Sequence, residues 1–269
     1  MLELPTLDAR DGLRSEDVRR TLADVGCVLI RGALPTAIIE RLATAMNDEL
    51  VRQGYATEGG DWTGMPVEDV DDDAVNMAVP YLDLWDSPEA AALFETVLGE
   101  PAFVFRNALT RYVTKAGSSY ITGAHQDAWL VKPNTDFVTV WTPLRPCTAE
   151  LGGVTYALGS QSEGLRDHVP QADLKNIRFD SQPQLAIPPE TISDPWAYSE
   201  VGVGDAIFFN AFTVHRSVPN SSERVIRYSI DTRFQPATSE RGFTATHTMA
   251  ELKAAKEESV HAGYAAAKR

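Results

Sequence analysis

From residue 102 to about residue 236 the chain breaks into short β-rich runs, each closed off by Gly, Pro, Asn or Ser. The runs fall at 103–113, 121–131, 137–144, 154–158, 184–187, 206–209 and 225–234. Many short strands with turn residues between them predict a sandwich or jelly roll. Upstream the grammar is mixed. Ser15 is a candidate cap for a helix with Glu16 and Asp17 in its first turn. Residues 26–32 are a short apolar strand between glycines, and residues 35–46 have apolar positions at helical spacing. Ser87, Pro88 and Gly99 bracket a further helix. The expected fold is therefore mainly β with flanking helices.

Composition limits what such a fold can do. Hydrophobic residues make up 43% and charged residues 23%, an ordinary globular balance. A formal net charge of −14 argues against nucleic acid, which needs a basic footprint. No apolar run is long enough for a membrane span, and no secretory leader is visible at the amino terminus. Cys27 and Cys147 form no metal-type pair, so two reduced, buried thiols in a cytoplasmic monomer or homodimer are expected. No repeat or linker interrupts the sequence, which reads as one domain over 1–269. Residues 53–80 read as an irregular, acidic loop, and 161–200 as a Pro-rich insertion. Both are candidate lid segments. The tail from Met249 reads as a surface helix or frayed end. Phosphate-loop, dinucleotide and nucleophile-elbow motifs are absent.

The chemistry-bearing stretch is Gly123-Ala-His-Gln-Asp-Ala-Trp129. On an extended strand His125 and Asp127 project from one face. An imidazole and a carboxylate there make two thirds of a facial iron site. His215, in Thr213-Val-His-Arg-Ser217, is placed to complete it. His168 and His261 lie in polar surroundings and read as surface residues. Further on, Arg224, Arg227 and Arg233 fall on a Val/Ile/Tyr strand, where arginine is costly to bury without a partner. Parity puts Arg227, Ser229, Asp231 and Arg233 on one face. Arg224, Ile226, Tyr228 and Ile230 occupy the other. Arg227 and Ser229 together can grip a distal carboxylate. A structural pairing of Arg227 with Asp231 is the competing reading, and Arg224 is the alternative anchor if the strand begins elsewhere. Trp129, Tyr120 and Phe105 lie on or near the metal strands as candidate substrate-pocket walls, though core packing explains each nearly as well.

With these residues in view the sequence resembles the phytanoyl-CoA dioxygenase-like branch of the iron(II)/2-oxoglutarate oxygenases. Residues 26–32 with the following helix resemble the family's opening, and His125-Gln-Asp127 is similar to its metal motif. Val140-Trp-Thr142, Leu151-Gly-Gly-Val154 and Gly159-Ser160 resemble the strands that follow. His215-Arg-Ser-Val-Pro-Asn220 with Arg227-Tyr-Ser229 is similar to its distal motif. The resemblance implies a double-stranded β-helix, cupin-like, with Fe(II) held by His125, Asp127 and His215. It implies that Arg227 binds the far carboxylate of 2-oxoglutarate, helped by Ser217, and that Trp141 lines the same pocket. Arg227 stands one residue further from His215 than the family's usual interval, which implies a bulge near Val225.

The resemblance further implies oxidative decarboxylation of 2-oxoglutarate by O2, coupled to hydrogen abstraction from a substrate carbon. Hydroxylation of a secondary-metabolite (antibiotic) biosynthetic intermediate is the leading expectation. Cyclisation, epimerisation or desaturation starts from the same substrate radical. The carboxylate at position 127 argues against halogenation, and the lack of a basic cluster argues against a long-chain acyl-CoA substrate. A non-catalytic jelly-roll protein that binds a metal or ligand is the reading from a different class.

Overall fold

A computed structural model describes residues 1–115, 123–131, 135–175, 183–248, 250, 251 and 254. Tyr120, His261, the beginning of the expected 121–131 strand, part of the 161–200 segment and nearly all of the tail from Met249 lie outside the described residues.

The chain opens with β1 (Thr6–Asp8), α1 (Ser15–Val25) and β2 (Cys27–Arg31), β1 running parallel to β2. β1 is an edge strand of the larger sheet. Ser15 is the first residue of α1 rather than its cap, Arg14 taking that position. Helices α2 (Thr36–Arg52), α3 (Asp72–Ala78), α4 (Leu82–Trp85) and α5 (Pro88–Leu98) follow. Helix α3 corrects the expected irregular loop at 53–80. Asp71 caps it by accepting from the Ala74 N–H, and Asp72 and Asp73 lie in its first turn, where the helix dipole favours negative charge. Residues 71–73, which read as loop, thus start a helix, and Tyr55, Val67, Val75 and Val79 from the same segment are buried in the core.

The β region comprises β3 (Ala102–Val104), β4 (Leu109–Val113), the single-turn helix α6 (Asp127–Leu130), β5 (Val138–Pro143), β6 (Gly153–Ala157), β7 (Val169–Lys175), β8 (Pro183–Ala186), β9 (Trp196–Ala197), β10 (Ala206–Asn210), β11 (His215–Val218), β12 (Arg227–Pro236) and the short helix α7 (Phe243–Thr246). The expected strand at 103–113 is divided in two. β12 pairs with β4 through residues 227–231 and with β3 through residues 234–236. Between them Thr232 Oγ donates to the Asn107 carbonyl, which interrupts the ladder. The larger sheet runs β1-β2-β10-β5-β12-β3, with β4 also on β12; the smaller runs β11-β6-β9, and β7 and β8 form a separate ribbon. Two facing sheets with helices on one outer side make a double-stranded β-helix, the jelly roll expected from the sequence. Among the described residues no helix is long and apolar enough to cross a membrane.

Alternation along the central strands explains how both faces of the larger sheet are filled. Val28, Ile30, Val140, Phe208, Tyr228 and Ile230 pack under the helices. Their neighbours Cys27, Leu29, Trp141, Ile207 and Phe209 point inward, meeting Tyr156 and Ala197 of the smaller sheet. Phe94 of α5 stacks on Phe234 at 4.4 Å and ties the helical layer to the sheet. Cys27 and Cys147 are free thiols, both buried; burial pushes them up to about 12 and about 11 respectively.

One glycine connects fold to site. Gly152 leads into β6 with φ +72°, and a Cβ there would collide with the carbonyl oxygens of Val218 and Pro219. Gly159 has φ +85° but open space around it. Gly159→Ala should therefore cost about 1–2 kcal/mol from backbone conformation alone. Gly152→Ala should cost more, because a carbonyl must also move. Urea denaturation of the two variants checks this, and equal losses would contradict it.

Candidate active site

His125 and His215 are brought together by backbone. Each donates its N–H to the other's carbonyl at 3.0 Å, a one-residue bridge joining the segment before α6 to β11. Each ring then donates Nδ1–H to a carbonyl two residues back, His125 to Gly123 at 2.9 Å and His215 to Thr213 at 3.0 Å. That fixes the tautomer and leaves Nε2 as an acceptor.

Asp127 arrives by a route that differs from the expected strand. Gln126 is extended (φ −121°, ψ 134°), but Asp127 begins α6. The chain turns there because Ala128 N–H is bound by the Ala211 carbonyl, and Val131 N–H closes back on Asp127. Two extended residues are enough to keep His125 and Asp127 on the same side. Asp127 Oδ1 stands 3.8 Å from His125 Nε2 and 3.7 Å from His215 Nε2, beyond hydrogen-bond reach. One ligand atom from each residue lies within 4.8 Å of the others. Three acceptors converge here with no proton between them, an arrangement that repels itself unless a cation is shared. Two imidazoles and a carboxylate are the donor set that suits non-haem iron.

The other carboxylate oxygen is fully engaged. Asp127 Oδ2 accepts from Thr139 Oγ at 2.7 Å and from Arg233 Nη2 at 2.9 Å and Nε at 3.1 Å. Arg233 also meets Asp231 at 3.1 Å, and Asp231 meets Arg111 at 2.9 Å. Burial opposes the Asp127 charge, but Arg233, the two histidines and Thr139 outweigh it and hold the carboxyl well below the usual range. Burial pushes His125 down to about 3, with His215 adding to the effect and Asp127 opposing it. Burial likewise lowers His215.

Arg227 lines the same cavity. It is 2% exposed, and its Nη1 donates to the carbonyls of Val218 (2.8 Å), Leu151 (3.3 Å) and Gly153 (3.3 Å). Its Nε has no partner. No carboxylate among the described residues pairs with it, so the competing pairing with Asp231 is not formed; Asp231 belongs to Arg111 and Arg233. Arg224, the alternative anchor, is exposed and pairs with Asp61. No bulge breaks the strand at Val225. That residue bridges to Asp61, and β12 begins in register at Arg227.

Of the residues singled out in the sequence, His125, Asp127, Trp141, His215, Ser217 and Arg227 line one cavity. Ser229 is fully buried between Arg227 and Asp231 on β12, its hydroxyl without a partner. Phe105 packs in a separate cluster with Ala128, Phe137 and Ala211. Trp129 is half-buried and stacks on His168 at 4.8 Å. His168 is a correction: it is buried, because its Nε2 accepts from the Gln126 N–H at 3.1 Å. Arg111, Val154, Tyr156, Phe209, Asp231 and Arg233 also line the cavity. Asp231 and Arg233 carry a parity signal in the sequence; the others offer none beyond an ordinary strand.

A jelly roll with this donor set and a buried, unmatched arginine defines a non-haem iron oxygenase of the 2-oxoglutarate-dependent class. The family model for phytanoyl-CoA dioxygenase (PhyH) matches residues 22–229, and the chain belongs to that family. It is 36% identical over 252 residues to the 1-deoxypentalenic acid 11-beta-hydroxylases of Streptomyces arenae and Streptomyces exfoliatus, covering 90% of this chain and 86% of theirs. Among solved structures it is similar to SnoN, a non-haem α-ketoglutarate-dependent epimerase of nogalamycin biosynthesis seen with Fe3+ and α-ketoglutarate. That match has TM-score 0.55 and 22% identity, over 83% of this chain and 84% of SnoN. The carbocyclase SnoK of the same pathway matches with TM-score 0.55 and 21% identity, over 84% and 85%.

Two outcomes follow. His125 in the folded, metal-free protein titrates far below its unfolded value near 6.5, so the unfolded chain takes up the proton first. The neutral ring's contribution is fully present above about pH 6.5 and is lost as pH falls toward 3. Metal-free protein should lose about 1.4 kcal/mol per pH unit from this ring below pH 6.5. Urea midpoints from pH 7.5 to 5 read this, and His125→Ala should flatten the slope. Arg233→Met leaves Asp127 buried without its main counter-charge and should cost about 3–5 kcal/mol. A variant within 1 kcal/mol of wild type would show the pair to be dispensable.

Proposed function

We propose that this protein hydroxylates an unactivated C–H bond of a small secondary-metabolite intermediate, using Fe(II), 2-oxoglutarate and O2. His125, Asp127 and His215 are the residues to hold the iron. Arg227, with Ser217 and Ser229, is the group to bind the far carboxylate of 2-oxoglutarate, and Trp141 walls that end. With Fe(II) bound by the three donors, 2-oxoglutarate would supply two electrons to O2, one oxygen atom going into succinate with loss of carbon dioxide and the other to the substrate C–H bond. The protein's own work is placement and exclusion of water. Arg233 and Thr139 occupy Oδ2 of Asp127 so that only Oδ1 faces the site. The inner apolar layer of Trp141, Tyr156 and Phe209 keeps the surroundings dry.

One observation carries the reading: a buried guanidinium with an unpartnered Nε and no anion faces the same cavity as three converging metal donors. Burying such a cation costs several kcal/mol unless an anion answers it, and a dicarboxylate that also reaches the metal does so. Hydroxylation is favoured over cyclisation or epimerisation because the 36%-identical relatives are hydroxylases, whereas the epimerase and carbocyclase share only 22% and 21%.

The test is succinate release with Fe(II), 2-oxoglutarate and O2, together with product mass. Wild type should form succinate and, with its substrate, a product heavier by one oxygen. His125→Ala should abolish both. Arg227→Gln should raise the 2-oxoglutarate KM by about two orders of magnitude, the worth of two charge-assisted hydrogen bonds. An unchanged KM would remove the basis for placing the keto acid at Arg227.

A further inference from the structure

Gln126, the residue between the two first metal donors, faces away from the cavity and is fully buried. Its carboxamide uses both donors and accepts once. Nε2 donates to the Gly164 carbonyl at 2.8 Å and to the Phe212 carbonyl at 2.7 Å. Oε1 accepts from the Arg166 N–H at 2.8 Å. Two carbonyl partners on one side and an N–H on the other fix which end of the amide is which. Its backbone N–H is taken by His168 Nε2 at 3.1 Å, and His168 Nδ1–H is anchored on the Arg166 carbonyl at 2.9 Å. The His168 ring lies nearly parallel to Trp129, two residues beyond Asp127, with 12° between planes. Arg166 is itself held by Asp194 at 2.8 Å.

Three segments far apart in sequence therefore converge on one side chain. One is the metal-donor stretch, one is residues 164–168, and one is the Asn210–Thr213 turn that delivers His215. Phe212 lies just before Thr213, whose carbonyl orients the His215 ring. The same amide thus touches the route to each histidine while contacting neither ring.

We propose that Gln126 and His168 are positioning residues that set the metal-donor geometry by clamping residues 164–168 and the 210–213 turn onto the His125–Asp127 stretch. This rests on the metal reading above. Supporting contacts behind a metal site commonly govern affinity by 10–100-fold, and here the clamp is built almost wholly from backbone groups of other segments. Arg227 lies on β12, outside the clamp, so once the metal site is saturated the keto-acid end should be unaffected.

The experiment uses the full chain and Co(II) as probe, read by its d–d absorption and a titrated Kd. Gln126→Met keeps the volume and removes all three amide bonds; it should raise the Co(II) Kd by 10–100-fold. At saturating metal its 2-oxoglutarate KM should stay within about twofold of wild type, because Arg227 is untouched. His168→Ala should weaken Co(II) similarly. His168→Gln, whose amide oxygen stands near the place of Nε2 and can accept the Gln126 N–H, should restore most of the affinity. Variants with lowered melting temperature but wild-type Co(II) affinity and spectrum would overturn the proposal, leaving the cluster a packing feature. Equal losses in His168→Ala and His168→Gln would overturn the role of the acceptor nitrogen. Wild type that takes up no Co(II) would instead overturn the metal reading, and the clamp's function with it.

Discussion

Charge carried into the interior of a barrel has to be answered there, and β12 imposes that requirement on the whole centre of the molecule. Its inner face presents Arg227, Asp231 and Arg233, all at most 6% exposed. Each ion brought out of water costs several kcal/mol unless it is paired and hydrogen-bonded. The structure meets the cost with a line of alternating sign: Arg111, Asp231, Arg233 and Asp127. The line ends on the carboxylate that stands between the histidines, so the requirement for buried-charge balance also fixes the metal-facing oxygen. Arg227 is left out of that line and leans on three carbonyls. A strand whose outer face is Tyr228, Ile230 and Phe234 cannot turn to expose these charges without unpacking the helical layer.

That logic is partly legible in sequence. Parity along β12 by itself separates the polar inner set from the apolar outer one, because a strand buried on both faces still alternates. His125, Asp127 and His215 are legible through spacing and residue type, and the jelly roll through the rhythm of short strands and turns. What parity cannot give is partnership. Arg227 and Arg233 look alike in sequence. Only the pairing of β12 with β5, which puts Arg233 beside Thr139, sets Arg233 against Asp127, while the carbonyls of residues 151, 153 and 218 accept from Arg227.

The misreadings share a cause: tertiary hydrogen bonds that no local pattern encodes. The extended stretch through His125 ends at Gln126 because the Ala211 carbonyl captures the Ala128 amide. His168 stands among polar neighbours in sequence yet is buried because Gln126 needs an acceptor. The acidic stretch at residues 71–73 reads as loop, but Asp71 caps α3 and Asp72 and Asp73 form its first turn. Phe105 and Trp129 read as pocket walls from their nearness to the metal motif. Phe105, held by the Arg233 carbonyl just after β3, packs with Ala128, Phe137 and Ala211, and Trp129 of α6 stacks on His168.

Charge balance also couples the two ligands that the site is proposed to take. The ionised residues lining the cavity are Arg111, Arg227 and Arg233 against Asp127 and Asp231, a formal +1 with the histidines neutral. A divalent iron entering alone raises that charge, and in a partly desolvated cavity its repulsion from Arg227 and Arg233 is weakly screened. A dicarboxylate entering alone gains Arg227 but brings its second carboxylate toward three acceptor atoms. Together, in the proposed arrangement, the metal would remove the repulsion among the acceptors and supply a partner for the second carboxylate, while Arg227 would take the first. Each ligand therefore creates the condition that favours the other, and linkage makes the gain equal in both directions. On the proposed function, the excess positive charge on the protein side, held in place by the pairing of Arg233 with Asp127, would favour a dianion over a neutral chelator.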